Sequence, residues 1–154
     1  MTSGIFRKIM VATDGSEPAR RAVDSAIKFA KLSETRLYAV HVIAVGFYSI
    51  TRSRDSEWEK AMKEQLTKEG KEATTYVENA GKTANVEVES VILEGNPAEE
   101  IIDFAEKNDI DLIVMGTHGI TGISRFLLGS VAENVIRHSG KAVLIVKGET
   151  AESK

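Results

Sequence analysis

Short apolar runs alternate along the chain with longer segments of helical period. The runs are Lys8–Thr13, Arg36–Ile43, Val86–Leu93, Asp111–Gly116 and Ala142–Val146. Each is rich in Val, Ile or Leu and has the length of a strand. After the first run, Ala19, Ala22, Val23, Ala26, Ile27 and Ala30 recur at helical spacing, which predicts a helix with one buried stripe. Trp58, Met62, Leu66, Ala73, Val77 and Ala80 predict a second, longer helix. Trp58 reads as its core anchor, Glu57, Glu59 and Lys60 as its wet face, and Gly70 as a candidate break. Shorter helices follow near Pro97–Asn108 and Ser130–His138. Asn96-Pro97 supplies an N-cap and a first-turn proline, with Glu99 placed for a capping box, and Ser130 with Glu133 forms a second start of that kind.

Strands alternating with helices predict an α/β fold, a Rossmann-like open parallel sheet covered by helices on both faces. Within it the runs differ. Val86–Leu93 sets Glu87 and Glu89 against Val86 and Val88, the pattern of a half-exposed edge strand. Asp111–Gly116 is apolar on both faces and belongs at the centre. Ala142–Val146 is apolar throughout although it comes last. Gly46–Asp55 is a polar connection without a readable period.

Composition narrows the classes of function. A chain of 154 residues fits one domain, 1–148, with a frayed charged tail at 149–154. The apolar fraction of 42% and the charged fraction of 28% are those of a globular protein, and a net charge of -3 gives no field for nucleic acid or an anionic membrane. Without cysteine there is no disulfide, thiolate zinc site or thiol catalysis. No run approaches the ~20 residues of a membrane span, and Met1–Phe6 lacks the features of a secretory signal. The expected compartment is the cytoplasm.

The chemistry concentrates between Met115 and Ser130, which read M-G-T-H-G-I-T-G-I-S-R-F-L-L-G-S. Gly116 closes an apolar strand, where a residue without a side chain lets backbone approach a ligand. Ser130 opens a helix whose first N–H groups are unpaired and carry the positive end of the dipole, a natural phosphate site. A loop whose glycines only serve turns, with Ser130 as a cap, fits the same residues. Asp14 has two readings as well, a ligand contact or a turn cap. Among the remaining polar residues, His41 reads as a satisfied core histidine and His138 as a dipole partner at a helix C-terminus. His118 and Arg125 could each touch a phosphate or face water.

The spacing G-2x-G-9x-G-[ST], met at Gly116, Gly119, Gly129 and Ser130, resembles the ATP-binding signature of the universal stress protein family. K-I-M-V-A-T-D-G-S at Lys8–Ser16, L-Y-A-V-H-V-I, D-L-I-V-M-G-T-H-G, L-L-G-S-V-A-E-N-V-I and K-A-V-L-I-V-K follow that family's other landmarks in order. The resemblance implies a five-stranded sheet of order 3-2-1-4-5, with Thr13-Asp14-Gly15 beside Met115-Gly116 at the topological switch. It implies that Asp14 bonds the ribose or adenine edge while Ala12, Thr13, Val42 and Met115 wall the base. Gly116, His118 and Gly119 would approach ribose and phosphates, and Gly129, Ser130, Val131 and Ala132 would donate to the phosphates. The chain departs from many ATP-binding members in having Ala12 in place of proline. Since proline donates no backbone hydrogen bond, the change leaves the pocket intact.

The implied ligand is ATP, with AMP and ADP as the other adenine candidates and Mg2+ or Mn2+ carried on the phosphates. The implied function is a nucleotide-dependent sensor or regulator in the stress response. Two further readings are a slow ATP hydrolase and a member with an empty pocket that acts through protein contacts alone. The chain has neither G-x-x-x-x-G-K-[ST] nor G-x-G-x-x-G, no nucleophile elbow and no spaced metal ligands, so efficient catalysis is not expected. An apolar edge strand invites pairing, and Ala142–Val146 is the expected seam of a homodimer.

Overall fold

The computed structural model describes residues 5–44, 56–117 and 128–147. The elements in chain order are β1 (Ile9–Ala12), α1 (Glu17–Ser33), β2 (Leu37–Ile43), α2 (Ser56–Ala84), β3 (Val88–Glu94), α3 (Pro97–Lys107), β4 (Leu112–Gly116), α4 (Ser130–His138) and β5 (Ala142–Val146). Every strand pair is parallel, and the sheet order is β3-β2-β1-β4-β5. This is the open α/β architecture that the alternating runs predict.

Burial explains the order. Along β1, Ile9 and Val11 point to one face and Met10 to the other, and all three are fully buried. Ile9 and Val11 meet the α1 stripe of Ala22, Val23 and Ala26 together with Val77 of α2. Met10 meets Ile101 and Ala105 of α3 and Val135 of α4 on the opposite face. Leu112, Ile113, Val114 and Met115 of β4 are buried on both faces in the same way. Strands of this kind need helices on each side and therefore take the middle. On β3 the outer positions carry charge instead. Arg36 Nη1 lies 3.0 Å from Glu89 Oε1 at that edge, and Glu87 with Glu89 raises the Arg36 pKa above its ordinary value. Such an edge is poor bait for another strand. β5 forms the opposite edge, paired with β4 alone.

The helix starts follow local chemistry with one correction. Ser16 caps α1, its Oγ accepting from Ala19 N at 3.4 Å, and Asn96 Oδ1 caps α3 by accepting from Glu99 N at 3.1 Å. At α4 the cap is Gly129, without a side-chain bond, and Ser130 is the first helical residue. Serine at that position lies inside the helix, where its hydroxyl no longer faces the N2 and N3 amides as a cap does.

Two expectations for α2 also change. The helix runs unbroken through the buried Gly70, and glycine stands there because the His41 ring lies where a side chain would: a Cβ there would come within 2.7 Å of His41 Cδ2. The glycine serves close packing and leaves the helix intact. Trp58 is 40% exposed and is not a core anchor; the interior is reached lower on α2 by Ala73 and Val77. Among the described residues no helix is long and apolar enough to cross a membrane. The connection Gly46–Asp55 and the tail 149–154 lie outside the described residues.

Candidate functional site

β1 and β4 lie side by side, but the chain leaves them in opposite directions. From β1 it turns to α1 on one face of the sheet, and from β4 it leads to α4 on the other. Where neighbouring strands diverge this way, a crevice opens beyond their carboxyl ends. Here it is a cavity of about 350 Å³. A wider depression of about 870 Å³ lies over the exposed faces of α1 and α2, between Arg20, Tyr76 and the lysines of α2. That one is a shallow surface of solvated side chains. The crevice gathers strand ends and a helix terminus, and its chemistry is the richer.

Its first wall is the turn after β1. Thr13 N donates to Val40 O at 2.9 Å, the last rung of the β1–β2 ladder. The chain then reverses, with Gly15 N donating to Thr13 Oγ1 at 3.1 Å and Ser16 N to Asp14 Oδ1 at 2.9 Å. Gly15 has φ +80, a conformation that glycine adopts without strain. Asp14 is thus a turn cap at the crevice lip, half-buried, and an ionised carboxylate keeps acceptor capacity beyond that one bond. Ala12 and the buried Thr13 complete the wall.

The floor comes from β2 and β4. Val40 O faces β1, whereas Ile43 O accepts from Gly95 N on the β3 side at 2.9 Å. Alternation therefore turns the N–H and C=O of Val42 toward β1, beyond the point at which β1 ends at Ala12. A backbone donor and acceptor so placed can pair with the edge of a planar heterocycle. The Val42 side chain, Met115 and Ile101 supply apolar surface around them, with Gly116 at the end of β4.

The far wall is the start of α4. Gly129 N donates to Thr117 O at 2.7 Å, which ties this terminus to the end of β4. The first helical bond runs from Glu133 N to Gly129 O at 2.9 Å. The preceding amides of Ser130, Val131 and Ala132 have no intrahelical acceptor and bring the positive end of the helix dipole to the crevice. A tetrahedral oxyanion suits such a terminus. No group of three or more His, Asp or Glu side chains placed to hold a metal occurs among the described residues.

Every described residue that the sequence nominates lines this cavity: Ala12, Thr13 and Asp14; Val42; Met115 and Gly116; and Gly129 through Ala132. His118 and Gly119, with Arg125, lie outside the described residues. The cavity also takes in Ala19, Val40, His41, Pro97, Ile101 and Thr117. Pro97 and Ile101 belong to a helix whose apolar stripe gives no sign of facing a cleft. His41 is half-buried rather than deep in the core, and its Nδ1 lies 2.9 Å from Thr13 O. Only the β1–β2 register, with Ala12 opposite Val40, brings that ring to the cleft wall.

Residues 5–147 match the model of the universal stress protein family. Universal stress protein MJ0531 of Methanocaldococcus jannaschii is 42% identical over 143 residues, covering 93% of this chain and 83% of the relative. The solved structure of MJ0577 from the same organism superposes with a TM-score of 0.81 at 35% identity, covering 96% of this chain and 99% of that one. The universal stress protein of Archaeoglobus fulgidus in complex with dAMP gives a TM-score of 0.70 at 29% identity, covering 93% and 99%. With sequence similarity running nearly end to end and the same strand order beneath it, this chain belongs to the universal stress protein family.

Proposed function

We propose that this chain is an ATP-binding member of the family, a cytoplasmic sensor whose nucleotide-loaded state alters self-association or partner choice. The observation that carries the reading is the convergence, above one strand switch, of three complementary features. They are the acidic turn at Asp14, the backbone edge of Val42 and the unpaired amides of Ser130–Ala132. Each suits one part of an adenine nucleotide. The Val42 donor and acceptor match a base edge, with Met115 and Ile101 against its faces. Asp14 matches hydroxyl groups of the ribose, and the α4 terminus matches the phosphates. A relative that was solved with dAMP supports the ligand class. Gly116, Gly119, Gly129 and Ser130 retain the complete signature spacing, which favours ATP over an empty pocket.

Mg2+ or Mn2+ would arrive on the phosphates with water completing its shell, since hard cations of this size are commonly held that way. The protein's part is to orient the chain of phosphates with backbone dipoles, a binding role that needs no group to move a proton. Isothermal titration with ATP and MgCl2 tests the reading, paired with identification of nucleotide released by acid from freshly purified protein. Saturable binding at one site per chain is expected, reduced at least tenfold by Gly129→Val, whose side chain crowds the phosphate approach. Absence of any heat with ATP, ADP or AMP would sink it. A single-turnover assay that releases phosphate faster than buffer alone would replace the sensor by a hydrolase.

A further inference from the structure

We propose that His41 is a positioning residue, through which α2 holds the nucleotide turn of β1 in place. The Thr13 carbonyl can only accept, so the 2.9 Å contact requires the proton on His41 Nδ1. Thr13 O is the group that would take the next rung of the β1–β2 ladder if β1 continued. The imidazole takes that place. It satisfies the carbonyl while leaving the Val42 N–H free to face the crevice.

The ring in turn is fixed from behind. Gly70 is buried against it, and a Cβ at that position would stand 2.7 Å from Cδ2 and 3.2 Å from Nε2. Three residues further along α2, Ala73 Cβ lies 3.0 Å from where a Gly15 side chain would begin. One turn of α2 therefore braces both ends of the Thr13–Gly15 reversal, at Gly15 directly and at Thr13 through the ring. A displacement of α2 at this level must move Asp14, which links the nucleotide cleft to a helix that faces solvent along much of its length.

The inference rests on the nucleotide reading, and two measurements keep the failures apart. The first needs no nucleotide. Long-range 15N–1H correlation spectra of the wild-type chain report which imidazole nitrogen carries the proton. An Nδ1–H ring is expected at His41, and a ring protonated on Nε2 alone overturns the proposal whether or not ATP binds. The second compares ATP titrations of His41→Asn, His41→Leu and Gly70→Ala. Asparagine can place an N–H near the Nδ1 position, so His41→Asn should stay within about threefold of wild type. His41→Leu keeps bulk without a donor and should lose about tenfold or more. Gly70→Ala, which pushes on the ring, should fall between them. Hydrogen exchange at the Thr13 and Gly15 amides, which are bonded within the turn, should quicken in His41→Leu and stay near wild type in His41→Asn. Equal ATP affinity in His41→Leu and wild type refutes the positioning role. If His41→Leu does not fold, the ring proton and the Asn variant decide. If the wild type itself binds no nucleotide, the nucleotide reading falls, and the proton position with the amide exchange still judges His41.

Discussion

Asn96 and Ser130 sit before similar apolar stripes, but their oxygens do different work. Asn96 Oδ1 takes the Glu99 amide at 3.1 Å, whereas Ser130 lies one residue inside its helix and Gly129 supplies the cap. Asn96→Ala should therefore cost about 1 kcal/mol in urea unfolding, the usual worth of a lost cap. Ser130→Ala should leave stability within about 0.5 kcal/mol of wild type while weakening ATP binding. A loss of stability at Ser130 equal to that at Asn96 would return the hydroxyl to a capping role. Of the two capping-box motifs, the one at Asn96 supplies its N-cap bond and the one at Ser130 falls a residue inside the helix, because glycine caps nearly as well as serine and leaves no side-chain mark. The left-handed residues Glu34, Asn85 and Asp109, which end helices at positive φ, were illegible for a related reason. Glycine is the usual signal of that conformation and asparagine the lesser one, so of the three only Asn85 carries any mark.

At the scale of elements, strand identity was open to reading because two-sided apolar runs have few other uses. β4 and the last strand lie where their runs place them, and β2 begins within a residue of its run. α2 was less legible. A glycine inside a helical pattern reads as a break, and only the position of His41 across the interface explains why glycine stands there in an unbroken helix. The cleft was legible where single stretches carry the chemistry, at Thr13-Asp14 and Gly129–Ala132. It was illegible where α3 closes it with Pro97 and Ile101, since that contact is set by the crossing of a helix over the sheet. The start of α4 brings the amides of Ser130, Val131 and Ala132 to the cleft. If its amides take the phosphates, adenosine should bind at least about tenfold more weakly than ATP, given that anion–helix interactions reach ~2 kcal/mol. Raising salt should erode the ATP advantage and leave adenosine unchanged. Equal affinities for the two ligands would leave α4 without a role in binding.

For the molecule as a whole, the two sheet edges are unlike, and the difference bears on assembly. β3 carries Glu89 and Glu94 with their ion-pair partners Arg36 and Lys63, while β5 is A-V-L-I-V and half-buried over most of its length. The β4–β5 register shows which groups β5 leaves over. Thr117 N donates to Val146 O, so Ala142, Leu144 and Val146 turn their backbone groups to β4, and those of Val143 and Ile145 face outward. Pairing of that outer row with the same strand of a second copy around a two-fold axis is the proposed dimer. Proline at an outward position removes a free N–H and blocks a neighbour, yet spares the bonds to β4. Val143→Pro should therefore sediment as a monomer at micromolar concentration while wild type sediments as a dimer, with far-UV circular dichroism unchanged. Leu144→Lys is the harsher variant, because it sets a charge against the core beneath α1, whereas proline at 143 keeps an apolar ring where Val143 packs on the opposite core, and it should lose stability together with the dimer. A dimer that survives Val143→Pro intact must be held by some other surface, since two β5 edges cannot share a ladder with proline rings between them.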